Sequence, residues 1–303
     1  MRMRSSCWLI LLFTLVVLLL AACDDTADDS ADTTLAPVTT TVATTTTASP
    51  VPTSTTTTTA QTTNTGAPSS TASNGEEIVV YVAMGDSGAF TPPSPDGLIY
   101  QYADMLAAHF GAQVDLRNRA VGGIHSTTML EELRTNDLLR ADLAEADVVT
   151  TNIPINVWIE PLMTVGGRDG RDPADCGGDD GQQCLREALE IYKADTDAII
   201  DEMVAICDDD ALIRLYDVYM IGTGYKLETD TLQISNPYWK AGMDYVEESA
   251  ARYGIPVAQV YDAFMGPDGT DDPYVKGLLD DDQLHPNAEG AAMMADLLNQ
   301  FGY

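Results

Sequence analysis

From residue 76 onward, apolar and polar positions recur in two forms: short continuous apolar runs, and longer segments with apolar residues at helical spacing. Ile78-Val79-Val80-Tyr81-Val82-Ala83-Met84 is a run of the first kind, closed by Gly85-Asp86-Ser87. That is the pattern of a parallel strand buried on both faces and followed by a turn. Gln113–Leu116 (leading into Asn118), Asp147–Ile153, Leu212–Val218 and Val257–Val260 predict four further strands. Leu98–Phe110 has helical periodicity and stops at Gly111, a suitable residue to end a helix. Ser126–Ala146, with a break near Asn136, Leu185–Ile206 and Asn236–Tyr253 predict more helices. Asn287–Phe301 predicts the last, with Ala288, Ala291, Ala292, Ala295 and Leu298 on a packed face. Strands alternating with helices imply a three-layer α/β/α sandwich around a central, mostly parallel five-stranded sheet. No internal repeat is visible.

The first 75 residues follow neither form. Arg2 and Arg4 precede Cys7–Ala22, an apolar run interrupted only by Thr14. The run is short for a membrane span, which needs about 20 apolar residues, and suits a secretory signal. It ends in Leu20-Ala21-Ala22-Cys23, which resembles the lipobox of bacterial lipoproteins. The resemblance implies a signal peptide over 1–22 and a diacylated Cys23 at the head of the mature chain. The protein would then be membrane-anchored on the extracytoplasmic side, at the cell surface or in the periplasm. Thr33–Ser73 holds 19 Thr, and 33–75 carries no charged side chain. Such a segment cannot build a core. Residues 23–75 are therefore read as a disordered linker, with an r.m.s. span of about 40 Å. The globular domain is assigned to 76–303.

The chain carries 15 Lys+Arg against 47 Asp+Glu, a formal net charge of −32. Phosphate recognition needs a basic surface, so nucleic acid is excluded as a partner. Three His and no CxxC pair leave no zinc finger and no HExxH metalloprotease. With Cys7 cleaved and Cys23 lipidated, Cys176, Cys184 and Cys207 remain. Cys176 and Cys184 flank a Gly/Asp-rich loop and are read as a disulfide; Cys207, ending a helical pattern, is read as a buried thiol.

Chemistry is expected at the carboxyl ends of the strands. Gly85-Asp86-Ser87 follows the first strand. Alone it is also ordinary turn chemistry. Asp282-Gln283-Leu284-His285-Pro286 sets a carboxylate within one turn of chain of a His. A serine nucleophile needs such a base, and the base needs an orienting carboxylate. Asn118-Arg119-Ala120-Val121-Gly122-Gly123 follows the second strand, and Asn152-Ile153-Pro154-Ile155-Asn156-Val157-Trp158 the third. Taken in this order, the four blocks resemble those of the SGNH, or GDSL-type, hydrolases, over about Ile78–Phe301. The resemblance implies an SGNH-hydrolase/flavodoxin-like fold and a serine esterase or lipase. It implies Ser87 as nucleophile, His285 as base and Asp282 as acid. Ser87 N–H, Gly123 N–H and the Asn156 amide would form the oxyanion hole. Two departures stand out: Pro154 where the family has Gly, and Val157 where it has a second Asp. Proline cannot take a positive φ, so this loop must be shaped differently. GxSxG is absent.

This chemistry needs no metal and no organic cofactor. The expected partners are an ester substrate, lipid or acylated glycan, and the membrane through Cys23; the chain is expected to be a monomer. Two alternatives keep the fold: an acyltransferase acting on a glycan or wall polymer, and a catalytically idle binding lipoprotein. His125 and His109 are read as structural or rim residues. Trp158, Tyr238 and Trp239 are read as packing before an acyl wall. The Asp runs 208–210, 271–272 and 280–282 lack EF-hand spacing and are read as solvated loops.

Overall fold

The computed structural model describes residues 77–166, 176–221 and 229–303, and the backbone of a short strand at 70–71. The signal segment, Cys23 and most of the linker lie outside the described residues. Among the described residues, no helix is long and apolar enough to cross a membrane.

Five parallel strands form the sheet: β2 (Glu77–Ala83), β3 (Gln113–Asn118), β4 (Val148–Thr151), β5 (Leu212–Tyr216) and β6 (Val257–Ala258). They lie in the order β3-β2-β4-β5-β6, and β1 (Ser70–Thr71) adds an antiparallel pairing at the start of β2. Counting the parallel strands alone, this is the doubly wound order 2-1-3-4-5, whose switch point lies between β2 and β4. Val79 to Ala83 are all buried, which accounts for the uninterrupted apolar run: helices cover both faces.

Two helix groups flank the sheet. α2 (Leu98–Phe110) packs on α9 (Ala288–Asn299). α3 (Ser126–Thr135), α6 (Gln183–Ile206) and α7 (Thr229–Ala251) pack together. α4 (Asp137–Ala144) follows α3 directly. The break comes from Asn136, whose side chain turns back to accept the N–H groups of Leu138 and Leu139 and so caps α4. α7 begins seven residues before the expected Asn236, so Pro237 lies inside the helix rather than in its first turn. Expected strand ends shorten, and Val257–Val260 contracts to two residues because Val260 already starts α8 (Val260–Met265). Cys176 and Cys184 form a disulfide, and Cys207 is a buried free thiol, its pKa pushed up to about 12 by that burial.

Candidate active site

The strands β2, β3 and β4 deliver three segments to one place. Past β2 the chain turns at Gly85, whose φ of +126° suits glycine; a Cβ there would stand 2.2 Å from Asn152 Oδ1. Asp86 follows, buried, and caps the short helix α1 (Ser87–Phe90) by accepting the Gly88 N–H at 3.0 Å. Its second carboxylate oxygen accepts the Ile155 N–H at 3.3 Å, which ties the β2 turn to the β4 loop. Burial pushes the Asp86 carboxyl up, against the pull of these N–H donors. Ser87 is the first residue of α1 and is half-buried.

Past β3, Arg119 N–H bonds Ala83 O and Val121 N–H bonds Gly85 O, so this segment runs on beside the β2 turn. Ile124 N–H then closes a turn onto Val121 O, with Gly123 at φ +73°. A Cβ on Gly122 would lie 3.7 Å from Ser87 Cβ, which measures how closely the turn approaches the serine. Neither Ser87 N–H nor Gly123 N–H has a hydrogen-bond partner among the described residues.

Past β4, the loop expected to deviate at Pro154 does so through a 3₁₀ turn, Asn156–Trp158, entered from Ile155 at φ −91°, ψ −1°. No residue of this loop has a positive φ, so proline is accommodated without strain. Asn156 donates one amide N–H to Ile124 O at 2.8 Å, which fixes the side chain beside the Gly122-Gly123 turn and leaves its second N–H.

The segment before α9 brings the last two groups. Asp282 Oδ1 accepts the backbone N–H of Leu284 and of His285, each at 2.9 Å, and Oδ2 faces His285 Nδ1 at 2.6 Å. Burial pushes the Asp282 carboxyl up, but the donors from His285 and Leu284 outweigh it and hold the group below the ordinary carboxylate range. A carboxylate only accepts, so Nδ1 carries the proton and Nε2 is left as acceptor. Nε2 stands 2.8 Å from Ser87 Oγ. The turn is anchored at Leu284 O by the Tyr219 hydroxyl at 2.7 Å and by Asn287, which bonds Gly277 O and Leu279 O and caps α9.

Ser87, Asp282 and His285 thus meet, with Gly123 and Asn156 beside them. His125 is exposed, precedes α3 as its N-cap residue and bridges Ile155, with no hydrogen bond to Ser87 among the described residues. His109 packs against Phe110 and Tyr303. Trp158 and Trp239 are core, and Tyr238 donates to Gln182 near the start of α6. Sequence reasoning missed Asn152, whose Oδ1 accepts both Asp86 N–H and Tyr216 OH at 3.3 Å. The available signal was Thr150-Thr151-Asn152, a polar end on an otherwise apolar strand. Among the described residues, no group of His, Cys, Asp and Glu could hold a metal ion. A cavity of about 390 Å³ lined by Arg214 and Tyr303 lies at the opposite, amino ends of the strands.

Residues 83–293 match the model of the GDSL-like Lipase/Acylhydrolase family. No curated protein matches the chain. Among solved structures, a lipase from a goat rumen metagenome is similar at a TM-score of 0.58 and 18% identity, over 74% of this chain and 98% of that one. An extracellular lipase from Streptomyces rimosus is similar at 0.51 and 16%, over 73% and 99%. An acetyl xylan esterase is similar at 0.50 and 14%, over 74% and 100%. At these identities the likeness is one of fold.

Proposed function

The chain belongs to the GDSL-like lipase/acylhydrolase family, and from that premise we propose that it is a serine ester hydrolase with Ser87 as nucleophile. The observation that supports this most is the continuous run of contacts from Asp282 Oδ2 to His285 Nδ1 at 2.6 Å and from His285 Nε2 to Ser87 Oγ at 2.8 Å. His285 takes the Ser87 proton as Oγ attacks the ester carbonyl, and returns it to the departing alcohol. Asp282 holds the ring tautomer and stabilises the imidazolium. The free N–H groups of Ser87 and Gly123, with the second Asn156 N–H, receive the oxyanion, each worth about 3 kcal/mol in the transition state. Water, deprotonated by His285, then cleaves the acyl-enzyme.

The address belongs to the same proposal. Leu20-Ala21-Ala22-Cys23 supports lipidation at Cys23, two acyl chains being enough for stable anchoring. The Thr-rich linker would hold the domain off an extracytoplasmic membrane face. Labelling of the expressed protein by an alkynyl fatty acid should vanish in Cys23→Ser, with the variant released to the medium; undiminished labelling would contradict the anchor.

The catalytic reading is tested on the purified full-length protein with p-nitrophenyl esters from acetate to palmitate. Ser87→Ala should lower kcat by about 10³-fold or more. Turnover retained in that variant would overturn the assignment.

A further inference from the structure

The groove between α5 (Ile159–Gly166) and α6 is lined by Asn156 and so adjoins the site described above. The cavity of about 390 Å³ lies at the other end of the sheet, at the amino ends of β5 and β6, with walls from the ends of α6, α7 and α9. Its volume is that of a small-molecule site. At its floor is Arg214, which extends from β5 toward α2 and α9 and is 3% exposed. The guanidinium donates to the Tyr102 hydroxyl, to Leu298 O at 3.4 Å and to Gly302 O. The Tyr303 ring centroid lies 4.5 Å from its central carbon. All of these partners are neutral, and no carboxylate pairs with Arg214 among the described residues. The bonds leave part of a fork of five N–H donors unused. A buried cation without a counter-charge is costly, and the carbonyls that end α9 offer only the partial charge of a helix terminus.

The rim has the opposite excess. Asp208 and Asp209 line it and are exposed. Asp208 Oδ1 accepts the Asp209 N–H at 2.7 Å, and Asp208 O accepts the Ala211 N–H at 3.0 Å, which fixes the turn that carries both carboxylates. Neither pairs with a Lys or Arg among the described residues. Tyr253 and Phe301, 45% and 42% exposed, line the same cavity. Aromatic faces beside carboxylates suit an ammonium group.

One cavity thus holds a buried cation and two carboxylates that do not pair with each other. We propose that it is a binding site for a small zwitterion of the amino-acid type. The acid group meets Arg214, the ammonium meets Asp208, Asp209 and the aromatic rim, and an apolar body spans the space between. A lone anion would have to enter a chain of net charge −32 past two carboxylates, whereas a zwitterion carries no net charge. A phospholipid headgroup is the wrong way round, because its acid group is the end that carries the tails. The site is independent of the chemistry at Ser87.

The test is calorimetry on the full-length protein at neutral pH with three matched probes. These are p-(aminomethyl)benzoate, which carries both charges, p-toluate, which keeps only the acid, and p-methylbenzylamine, which keeps only the amine. The zwitterion should bind at least tenfold more tightly than either of the others. Asp208→Asn combined with Asp209→Asn, both at exposed positions, should remove its advantage over p-toluate and leave p-toluate bound no more weakly than before. Arg214→Gln should abolish binding of the zwitterion; where that variant does not fold, the rim pair decides. No heat from millimolar p-(aminomethyl)benzoate, p-toluate or p-methylbenzylamine bound as tightly as the zwitterion, or an advantage that survives in the rim variant would overturn the site.

Discussion

At Asn152 one amide oxygen receives two donors, the Asp86 N–H and the Tyr216 hydroxyl. All three groups are buried, so removing the acceptor leaves donors without water to turn to. Asn152→Ala should therefore destabilise the fold by roughly 2–4 kcal/mol and lower kcat, because the β2 turn that carries Ser87 loses its brace. Tyr216→Phe removes one donor and should cost only about 1 kcal/mol. Urea unfolding with parallel kinetics checks both; an Asn152→Ala variant as stable and active as the parent would show that the brace does nothing. Asp217 offers a pH-dependent counterpart. It is buried, accepts the Tyr261 N–H at 2.8 Å, and its pKa is pushed up to about 7 by that burial. A carboxyl whose folded value lies above its unfolded value favours the protonated fold. Stability is thus fully kept below about pH 4, falls as pH rises to about 7, and stays low above. Asp217→Asn keeps an acceptor without the charge. The stability of the variant relative to the parent should grow between pH 4 and pH 8, by about 4 kcal/mol at most; a gap independent of pH would contradict it.

At the scale of elements, the turn into α9 places Asp282 against His285. Gln283, between Asp282 and His285, sits at φ +57°, the one positive φ outside glycine among the described residues. Asn287 holds the turn from the other side as the α9 cap. Asn287→Ala should cost about 1 kcal/mol as a cap and also release Gly277 O and Leu279 O. A fall in kcat with KM unchanged would mark a positioning effect beyond stability, and equal kcat would exclude one. The elements also show what the sequence could carry. Ser87, Asp282 and His285 were legible because each sits in a short local pattern at a strand or helix end. Helix α2 was legible to the residue because Gly111 stops it at φ +62°. The Asn152 contacts were not legible, since they span 64 and 66 residues of chain and no local period encodes them. The shape of the Pro154 loop was legible only as a departure. The 3₁₀ turn that resolves it depends on the Ile155 N–H reaching Asp86, a tertiary contact.

Over the whole molecule, charge dominates. Residues 76–303 hold 13 Lys+Arg and 42 Asp+Glu, a net of −29 by difference. Self-repulsion on that scale opposes the compact state and is screened by salt within about 10 Å at 0.1 M. Raising NaCl from 10 to about 300 mM should therefore raise the Tm by a few degrees; a Tm that falls would mean that attractive pairs such as Arg117 and Arg119 with Asp142 outweigh the repulsion. The catalytic proposal depends on Ser87 being the nucleophile. The most direct measurement is intact mass and peptide mapping of the full-length protein after reaction with an alkyl fluorophosphonate. A single adduct on Ser87, absent from Ser87→Ala and slowed in His285→Ala, is the expected result. A folded protein that takes up no label, or that still takes it up when Ser87 is gone, would contradict the serine mechanism outright.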